Sequence, residues 1–277
     1  MIALDTVKDF KVLFVGDPIV DIYRYVRVIG KAVKENALSA TVGKTESFSG
    51  GVWAAAKHTE NFCAHVSVWA GPSIMYNMRL VDDIYLRKLF VTHDLKPAPQ
   101  NGLVPPVRDF DLVVVCDFGH GFMDKAMIEQ LTREAKFLAV NAQTNATNYG
   151  FNLITKYPRA DFVVLDELEA RLAVHERDAP IEDVILKLGY EKIIITRGIN
   201  GAVGYDGVFE HQKAMTKAAI DTMGAGDAFL SVCAPYAAAG ASMHDLIHIG
   251  NAAGAAKTQI VGHRSSVTRE ALEKYLG

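Results

Sequence analysis

Four short apolar runs decide the fold of this chain: Asp111–Cys116 (DLVVVC), Phe137–Asn141 (FLAVN), Asp161–Leu165 (DFVVL) and Lys192–Thr196 (KIIIT). Each run is rich in Val, Ile and Leu and is too short for a typical helix, which is the pattern of a strand buried on both faces. Helical segments are predicted between the runs at Met123–Ala135, Glu167–His175 and Ile181–Leu188. Strands that alternate with helices predict an α/β fold with a doubly wound, mainly parallel sheet flanked by helices.

The same alternation continues toward the N-terminus. Lys11–Val15 and His65–Ala70 are predicted strands, and Gly51–Phe62 is a predicted helix between them. The insertion at residues 36–49, which contains the Thr-, Val- and Ser-rich stretch Leu38–Ser49, predicts an extended, partly exposed β lid. Farther along, Met78–Phe90 is a helix candidate. A Pro-rich passage with Pro97, Pro99, Pro105 and Pro106 predicts an irregular connection.

The C-terminal part of the chain has a helical pattern. Helices are predicted at Ala228–Ala239, Met243–Thr258 and Val267–Tyr275. No linker, repeat or low-complexity tract divides the chain. We therefore expect a single domain over residues 1–277.

Composition and charge exclude several classes of protein. The 29 Lys and Arg residues against 32 Asp and Glu residues provide no basic stripe for nucleic acid. No stretch reaches the roughly 18 apolar residues of a membrane span. The three cysteines, Cys63, Cys116 and Cys233, lie in apolar surroundings, which favours buried free thiols over disulfides or zinc. A cytoplasmic protein that binds neither nucleic acid nor membrane is the prediction.

A glycine-rich stretch near the C-terminus, Asp221–Asp227 (DTMGAGD), carries the chemistry. Two glycines ahead of a helix let backbone N–H groups converge on an anion, and the helix dipole favours negative charge there. Asp227 follows directly, at a point where a carboxylate can accept the proton of an incoming hydroxyl. The spacing alone also fits an ordinary Gly-rich turn with Asp227 in the first helical turn.

The string DTMGAGDAF resembles the DTxGAGD signature of the ribokinase-like (PfkB) carbohydrate kinases. This resemblance implies phosphoryl transfer from ATP, with Mg²⁺, to the hydroxyl of a sugar or sugar phosphate. It assigns the anion hole to Gly224, Ala225 and Gly226, and the role of general base to Asp227.

On the sugar side, Val15–Asp21 (VGDPIVD) is similar to the opening strand and turn of the family, whose aspartate at the position of Asp21 contacts sugar hydroxyls. Gly50 and Gly51 resemble the paired glycines that enter its first helix. From the residues alone, a helix-capping aspartate and a tight turn explain these positions equally well. The predicted substrate-binding residues are Asp17, Asp21, Gly50, Gly51, Asp117 and His120.

On the nucleotide side, Thr196, Gly198 and Gly201 resemble the family's TxGxxG turn around the ATP phosphates. Asp166 and Glu169 replace its NxxE motif, with aspartate where the family has asparagine, and the resemblance implies that Glu169 holds Mg²⁺ through water. A helix N-terminus with favourable charges explains the same acidic cluster. Asn251 matches a position near the adenine pocket, although a small-residue helix packed on the sheet explains it as well.

Within the family, the sequence looks most like the heptose-phosphate kinases that feed nucleotide-activated sugar synthesis, which implies a functional link to a nucleotidyltransferase. A nucleoside or small-alcohol kinase is the first alternative. A catalytically silent, kinase-like binding protein is the second, because the stretch from Gly71 to Asp117 is shorter than in the family. We also predict a homodimer, since a lone hairpin at Leu38–Ser49 is marginal in water and its edges need a partner.

Overall fold

The computed structural model describes residues 3–95, 106–216 and 218–277. Within these residues, twelve strands occur in chain order: β1 (Lys11–Gly16), β2 (Pro18–Lys31), β3 (Leu38–Gly50), β4 (His65–Ala70), β5 (Met75–Asp82), β6 (Lys88–Asp94), β7 (Leu112–Asp117), β8 (Leu138–Ala142), β9 (Phe162–Asp166), β10 (Ile193–Thr196), β11 (Ala202–Tyr205) and β12 (Phe209–Gln212).

Seven helices accompany these strands in the described chain: α1 (Gly51–Thr59), α2 (Lys125–Glu134), α3 (Glu167–Val174), α4 (Ile181–Leu188), α5 (Ala225–Ala238), α6 (Met243–Lys257) and α7 (Arg269–Leu276). Short 3₁₀ turns lie at Leu4–Val7, Val107–Asp109, Ile154–Lys156 and Gly198–Asn200. None of the described helices is both long and apolar enough to cross a membrane.

The main sheet has eight strands in the order β12-β11-β10-β9-β8-β7-β1-β4. The strands from β10 to β4 pair in parallel, and β11 and β12 add an antiparallel edge. The doubly wound, mainly parallel α/β sheet expected from the sequence is therefore confirmed. Most predicted strands and helices match the observed elements to within three residues at either end. β11 and β12, which follow directly after the last predicted strand, had not been predicted.

Two apolar cores cover the two faces of this sheet. Val114 of β7 packs toward α1, α5, α6 and α7. Val113 and Val115 face the other core, formed with α2, α3 and α4. All three valines are completely buried. This burial on both faces is the reason that the strands read as continuous apolar runs in the sequence.

A second sheet forms the lid, with the strand order β3-β2-β5-β6. It is larger than the predicted insertion at 36–49, and Leu38–Ser49 is not a lone hairpin because β3 pairs along its length with β2. A small apolar cluster of Tyr23, Tyr25 and Val81 packs against Met223 and joins the lid to the main body.

The prediction of a helix at Met78–Phe90 is wrong. The segment instead forms β5 and β6, which pair antiparallel across a turn, and β5 also pairs in parallel with β2. In the turn, the Asp82 carboxylate accepts the N–H groups of Ile84 and Tyr85 at 3.0 and 2.7 Å, and Leu86 has a positive φ of 54°. These local bonds and the long-range pairing override the helical spacing of the apolar residues. Nearly all of the predicted Pro-rich connection lies outside the described residues.

Candidate active site

A cavity of about 770 Å³ lies between the lid and the carboxyl ends of the parallel strands. Asp166 and Thr196, the last residues of β9 and β10, form part of its wall. Phe118, the residue directly after β7, also lines the cavity. Ligands of open α/β sheets bind at this edge. The cavity is therefore the candidate site for ligand binding and catalysis.

Most of the site residues predicted from the sequence line this cavity. They are Asp21, Gly51, His120, Asp166, Glu169, Thr196, Gly198, Gly201, Gly224, Ala225, Gly226, Asp227 and Asn251. The cavity thus brings together residues from the lid, the main sheet and four helices.

The remaining three predicted residues, Asp17, Gly50 and Asp117, lie behind the cavity wall. The buried Asp17 carboxylate accepts the N–H of Phe118 at 3.0 Å, and burial together with the nearby Asp117 charge raises its pKa to about 7. Asp117, also buried, accepts the hydroxyl of Tyr157 at 2.6 Å. A side chain at Gly50 would collide with Asp21. These positions support the wall rather than form it.

The predicted anion hole, Gly224–Gly226, lies at the start of α5. Gly224 precedes the helix with φ 71°, a left-handed conformation that favours glycine, and a Cβ there would lie 2.9 Å from His263. The first N–H groups of a helix have no partner within the helix, and the dipole makes this end positive. The space beside Gly226 is open toward the cavity. This end of α5 is suited to an anion.

Asp227 lies in the first turn of α5, and its Oδ1 accepts a hydrogen bond from Gln143 Nε2 at 2.6 Å. Burial raises the pKa of Asp227, and the charges of His263 and Lys257 oppose that rise. A carboxylate whose pKa is raised is a stronger proton acceptor in its ionised form. The residue has the environment of a general base.

At the lid end of the cavity, Asp21 forms an ion pair with Arg79 of β5, and His263 Nε2 lies 3.4 Å from its other oxygen. Burial raises the pKa of Asp21, but the hydrogen bond from His263 and the charge of Arg79 outweigh it and hold the pKa below its usual value. Asp21 is therefore a carboxylate. Next to it, His93 Nδ1 lies 2.7 Å from Asn77 Oδ1.

The opposite end of the cavity is formed by the turn between β10 and β11. Gly198 has φ 56° and open space in front of it, so a ligand can approach its backbone. Gly201 has φ 89°, and a side chain there would collide with the carbonyl of Gln212. Asn251 on α6 donates to the carbonyl of Lys213 at 3.2 Å, which fixes the segment after β12. The backbone at Gly198 is therefore accessible to a ligand, and Gly201 lies close to the segment after β12.

Asp166 and Glu169 form a capping box at the start of α3. Asp166 Oδ1 accepts the N–H of Glu169 at 2.7 Å, and Glu169 Oε2 accepts the N–H of Asp166 at 2.8 Å. Glu169 Oε1 also accepts the N–H of Thr144 at 3.1 Å. Burial and the Asp166 charge raise the pKa of Glu169. The helix-terminus interpretation of this cluster is therefore correct as local structure, and both carboxylates still line the cavity.

The same corner has the chemistry that a Mg²⁺ ion requires. Within the described residues, the buried Asn141 Oδ1 and Thr144 Oγ1 have no hydrogen-bond partner, and both residues line the cavity beside Glu169. Carboxylate, amide and hydroxyl oxygens are the donors that Mg²⁺ accepts, often through water. No group of three His, Cys, Asp or Glu side chains in the described ranges is arranged to hold a metal ion by itself. The residues fit an ion held together with a bound phosphate rather than in an all-protein cage.

Sequence reasoning missed several side chains that shape the site. Arg79 and His93 lie on lid strands, where a helix or nothing regular had been predicted, and His263 lies in the loop between α6 and α7. Gln143 directly follows β8. None of these residues belongs to a local motif. The sequence signal for each was weak, because it consisted of one charged or polar residue in a segment of mixed polarity.

A sequence profile of the pfkB family carbohydrate kinases matches residues 91–270. Over 150 residues, or 51% of this chain, the sequence is 25% identical to the bifunctional protein HldE of Hyphomonas neptunium, and the match covers 30% of that protein. The chain spans less than half of the length of the curated relatives it matches.

Solved structures with the same fold cover almost the entire chain. The nucleoside kinase of Methanocaldococcus jannaschii superposes with a TM-score of 0.72 at 14% identity, over 97% of this chain and 99% of that chain. Arabidopsis thaliana ribokinase complexed with ribose and ATP superposes with a TM-score of 0.71 at 15% identity, over 97% and 99% of the two chains. At these identities, the likeness establishes the ribokinase-like fold.

Proposed function

We propose that this chain, which belongs to the pfkB family of carbohydrate kinases, transfers the γ-phosphoryl group of ATP to a hydroxyl of a sugar or sugar phosphate. Family membership supports the ATP-dependent kinase chemistry. The acceptor, the roles of individual residues and the cytoplasmic location are our inferences.

The observation that carries the proposal is the position of Asp227 in the first turn of α5, beside the anion hole and within one cavity with the other site residues. In the proposed reaction, an acceptor hydroxyl gives its proton to Asp227 and its oxygen attacks the γ-phosphorus in line. The N–H groups at Gly224–Gly226 stabilise the charge that develops on the transferring group. The bond from Gln143 orients Asp227 so that its second oxygen faces the acceptor.

The nucleotide is assigned to the end of the cavity with the glycine turn. Thr196, Gly198 and Gly201 would line the phosphates and ribose, and Asn251 would lie near the base. Asp166 and Glu169 would hold Mg²⁺ through water. The ion, when bound, neutralises charge on the β- and γ-phosphates. Arabidopsis thaliana ribokinase, which binds ribose and ATP, supports ATP as the donor.

The acceptor is assigned to the lid end, where Asp21 would accept bonds from sugar hydroxyls. Gly51 would allow the sugar ring to approach the backbone. Arg79, His93 and His120 line the same end and offer N–H donors of the kind that a phosphate requires. These donors and the likeness to HldE favour a phosphorylated sugar of the heptose-phosphate type and a functional link to a nucleotidyltransferase.

Large apolar side chains remain exposed on the lid and support the proposed homodimer. Ile29, Leu38, Val42, Phe90 and Leu95 are all more than half exposed. Exposed large apolar side chains on one sheet are typical of a protein–protein contact surface. Pairing of two lids would cover it. The three buried free cysteines support a reducing compartment such as the cytoplasm.

The proposed function is tested by measuring ADP release with three panels of acceptors: free sugars, sugar phosphates and nucleosides. We expect Mg²⁺-dependent turnover with a sugar phosphate. Turnover confined to nucleosides would contradict the proposed acceptor. ATP binding without turnover on any panel would contradict kinase activity and favour a silent binding protein. Asp206→Asn, which changes an exposed carboxylate between β11 and β12, is the matched control for Asp227→Asn.

A further inference from the structure

Lys257, the last residue of α6, is completely buried. Lysine is almost never buried to this extent unless its charge is paired, because removing an ammonium group from water is costly. The proposed reaction assigns no role to this residue, which does not line the cavity. A buried charge beside a candidate active site requires a physical explanation.

The ammonium group of Lys257 is bound by two backbone carbonyls. Its Nζ donates to Met223 O at 2.7 Å and to Gly262 O at 2.8 Å. The N–H groups of these same two residues donate to the Asp221 carboxylate, Met223 at 3.1 Å and Gly262 at 2.9 Å. Each of the two residues is thus held by a cation through its carbonyl and by an anion through its N–H.

This arrangement lies directly behind the anion hole. Met223 immediately precedes Gly224, and a Cβ on Gly224 would lie 3.4 Å from Lys257 Cε. The contacts of Lys257 therefore fix the turn from which α5 begins, where the N–H of Ala225 donates to Thr222 O at 3.3 Å. Its positive charge lies on the protein side of the site, where water does not screen it.

We propose that Lys257 is a positioning residue for phosphoryl transfer, which holds the Met223–Gly224 turn through backbone carbonyls and adds a fixed positive charge behind the anion hole. The inference rests on the proposed function. The positive charge behind the site then belongs to the Lys257 ammonium group, which is part of the chain, rather than to a bound ligand.

The charged groups around Lys257 determine how the proposal is tested. Acidic neighbours are Asp221, Asp227 and Asp21, and basic neighbours are Lys88, His58 and His263. Burial lowers the pKa of Lys257, and the Asp221 and Asp227 charges oppose that change.

The same pairing acts on the proposed base. Apart from Lys257, the titratable groups that face Asp227 are His263, Asp21, Glu169 and Cys116. The Lys257 charge favours the ionised form of Asp227 and so lowers its pKa. Loss of Lys257 should therefore raise that pKa. Because the base acts only when it is ionised, the acid limb of the pH–rate profile should move to higher pH.

The first test compares Lys257→Met, which keeps the length of the side chain and removes the charge, with Lys274→Met, which removes an exposed lysine from α7. We expect Lys257→Met to lower kcat by about 10- to 100-fold, below the loss of a direct oxyanion donor, with the KM for ATP within a few-fold. The acid limb of kcat/KM should move to higher pH. Lys274→Met should match the wild type. A wild-type kcat and acid limb in Lys257→Met would overturn the proposal.

A second variant separates the cation from the packing. Lys257→Ala leaves room for a small amine next to the two carbonyls. Methylammonium chloride should restore part of the lost kcat, whereas tetramethylammonium chloride, which is too bulky, should not do so at the same ionic strength. A reduced kcat with an unmoved acid limb and no rescue would mean that Lys257 serves stability alone, and would overturn the proposal. If Lys257→Met does not fold, Lys257→Gln replaces it.

A third measurement does not depend on turnover. The carboxyl carbon of Asp227, assigned in the NMR spectrum by its loss in Asp227→Asn, is titrated in the wild type and in Lys257→Met. A higher pKa in Lys257→Met supports the role of Lys257, and an unchanged pKa overturns it. A wild type that transfers no phosphoryl group in the same preparations contradicts the proposed function, and this titration still decides the role of Lys257.

Discussion

The two sheets of this molecule are stabilised in different ways. In the main sheet, β7 from Leu112 to Val115 is completely buried, with apolar layers on both faces. In the lid, β3 is exposed along most of its length, and the apolar cluster beneath the sheet is small. Burial of apolar surface stabilises the main body by itself. The lid depends on its contacts with that body.

Polar contacts with candidate site residues contribute to this attachment, together with the apolar cluster of Tyr23, Tyr25 and Val81. Lys88 Nζ and Tyr23 OH, both from lid strands, each lie 2.9 Å from the Asp221 carboxylate. His263, in the loop between α6 and α7, lies 3.4 Å from Asp21 of the lid strand β2. The contacts that attach the lid to the main body therefore involve residues next to the proposed anion hole and in the proposed sugar site. The comparison teaches that lid position and site geometry are coupled in this fold.

The largest effect should come from a change in the main body that leaves the lid contacts intact. We expect Asp227→Asn to lower kcat by about 10²–10⁴-fold, because a general base acts in the transition state. ATP affinity should stay within a few-fold of the wild type. Steady-state kinetics and isothermal titration calorimetry measure the two quantities, with Asp206→Asn as the matched control. Retention of more than about a tenth of the wild-type kcat would remove Asp227 from the reaction.

Next in size is the difference in stability between the two sheets. Leu112→Ala, at a completely buried position in β7, should lower the free energy of unfolding by about 2–5 kcal/mol. Leu89→Ala, at a position 45% exposed in β6, should change it by about 0.5 kcal/mol or less. Urea denaturation at low protein concentration measures both. Equal losses at the two positions would contradict the comparison.

A change at the junction of lid and body should affect the acceptor and spare the nucleotide. We expect Asp21→Ala to reduce the transition-state stabilisation, as measured by kcat/KM for the acceptor, by about 2 kcal/mol. Hydrogen bonds to a charged group are lost, and Arg79 is left unpaired. ATP affinity should be unchanged. Asp21→Asn, which keeps the shape of the side chain, should give a smaller loss. Equal losses for acceptor and ATP would indicate misfolding instead of a binding role.

The smallest effect on the chemistry should come from the outer face of the lid. Phe90→Glu adds a charge to the exposed apolar surface and should convert the proposed dimer to a monomer. Phe151→Glu, at an exposed position far from the lid strands in sequence, should leave the mass unchanged. Light scattering at micromolar protein concentration measures both. A wild type that is monomeric with and without sugar phosphate and an ATP analogue would exclude the dimer.

The sequence predicted the main sheet well because its strands are buried on both faces, as at Leu112–Val115. Such strands appear as continuous apolar runs, and no other element of that length has the same pattern. The lid strands β5 and β6 were not predicted. Their side chains alternate between a small core and water, and the apolar residues of Met78–Phe90 also fit a helical period. Pairing with β2, which is distant in the sequence, decides the structure there.

The candidate site residues also fall into two groups: those that the sequence alone indicates, and those that only the fold brings together. Asp227 and the glycines before it form a local motif, so the sequence alone indicates them as candidates. Arg79, His263 and Lys257 come from separate segments, and only the fold brings them to Asp21 and to the anion hole. Asp17 and Asp117 were predicted to bind substrate from the family resemblance. Their carboxylates accept buried hydrogen bonds behind the cavity wall, and substrate binding by them stays a prediction.

Phosphoryl transfer itself is tested most directly by following the phosphorus atoms. The protein is incubated with ATP, Mg²⁺ and a sugar phosphate, and the mixture is observed by ³¹P NMR. We predict that the γ-phosphate signal of ATP disappears while signals of ADP and of a new phosphate ester on the sugar appear in equal amounts, and that Asp227→Asn slows this change. Release of inorganic phosphate with no new ester, or unchanged ATP with every acceptor, would contradict the account.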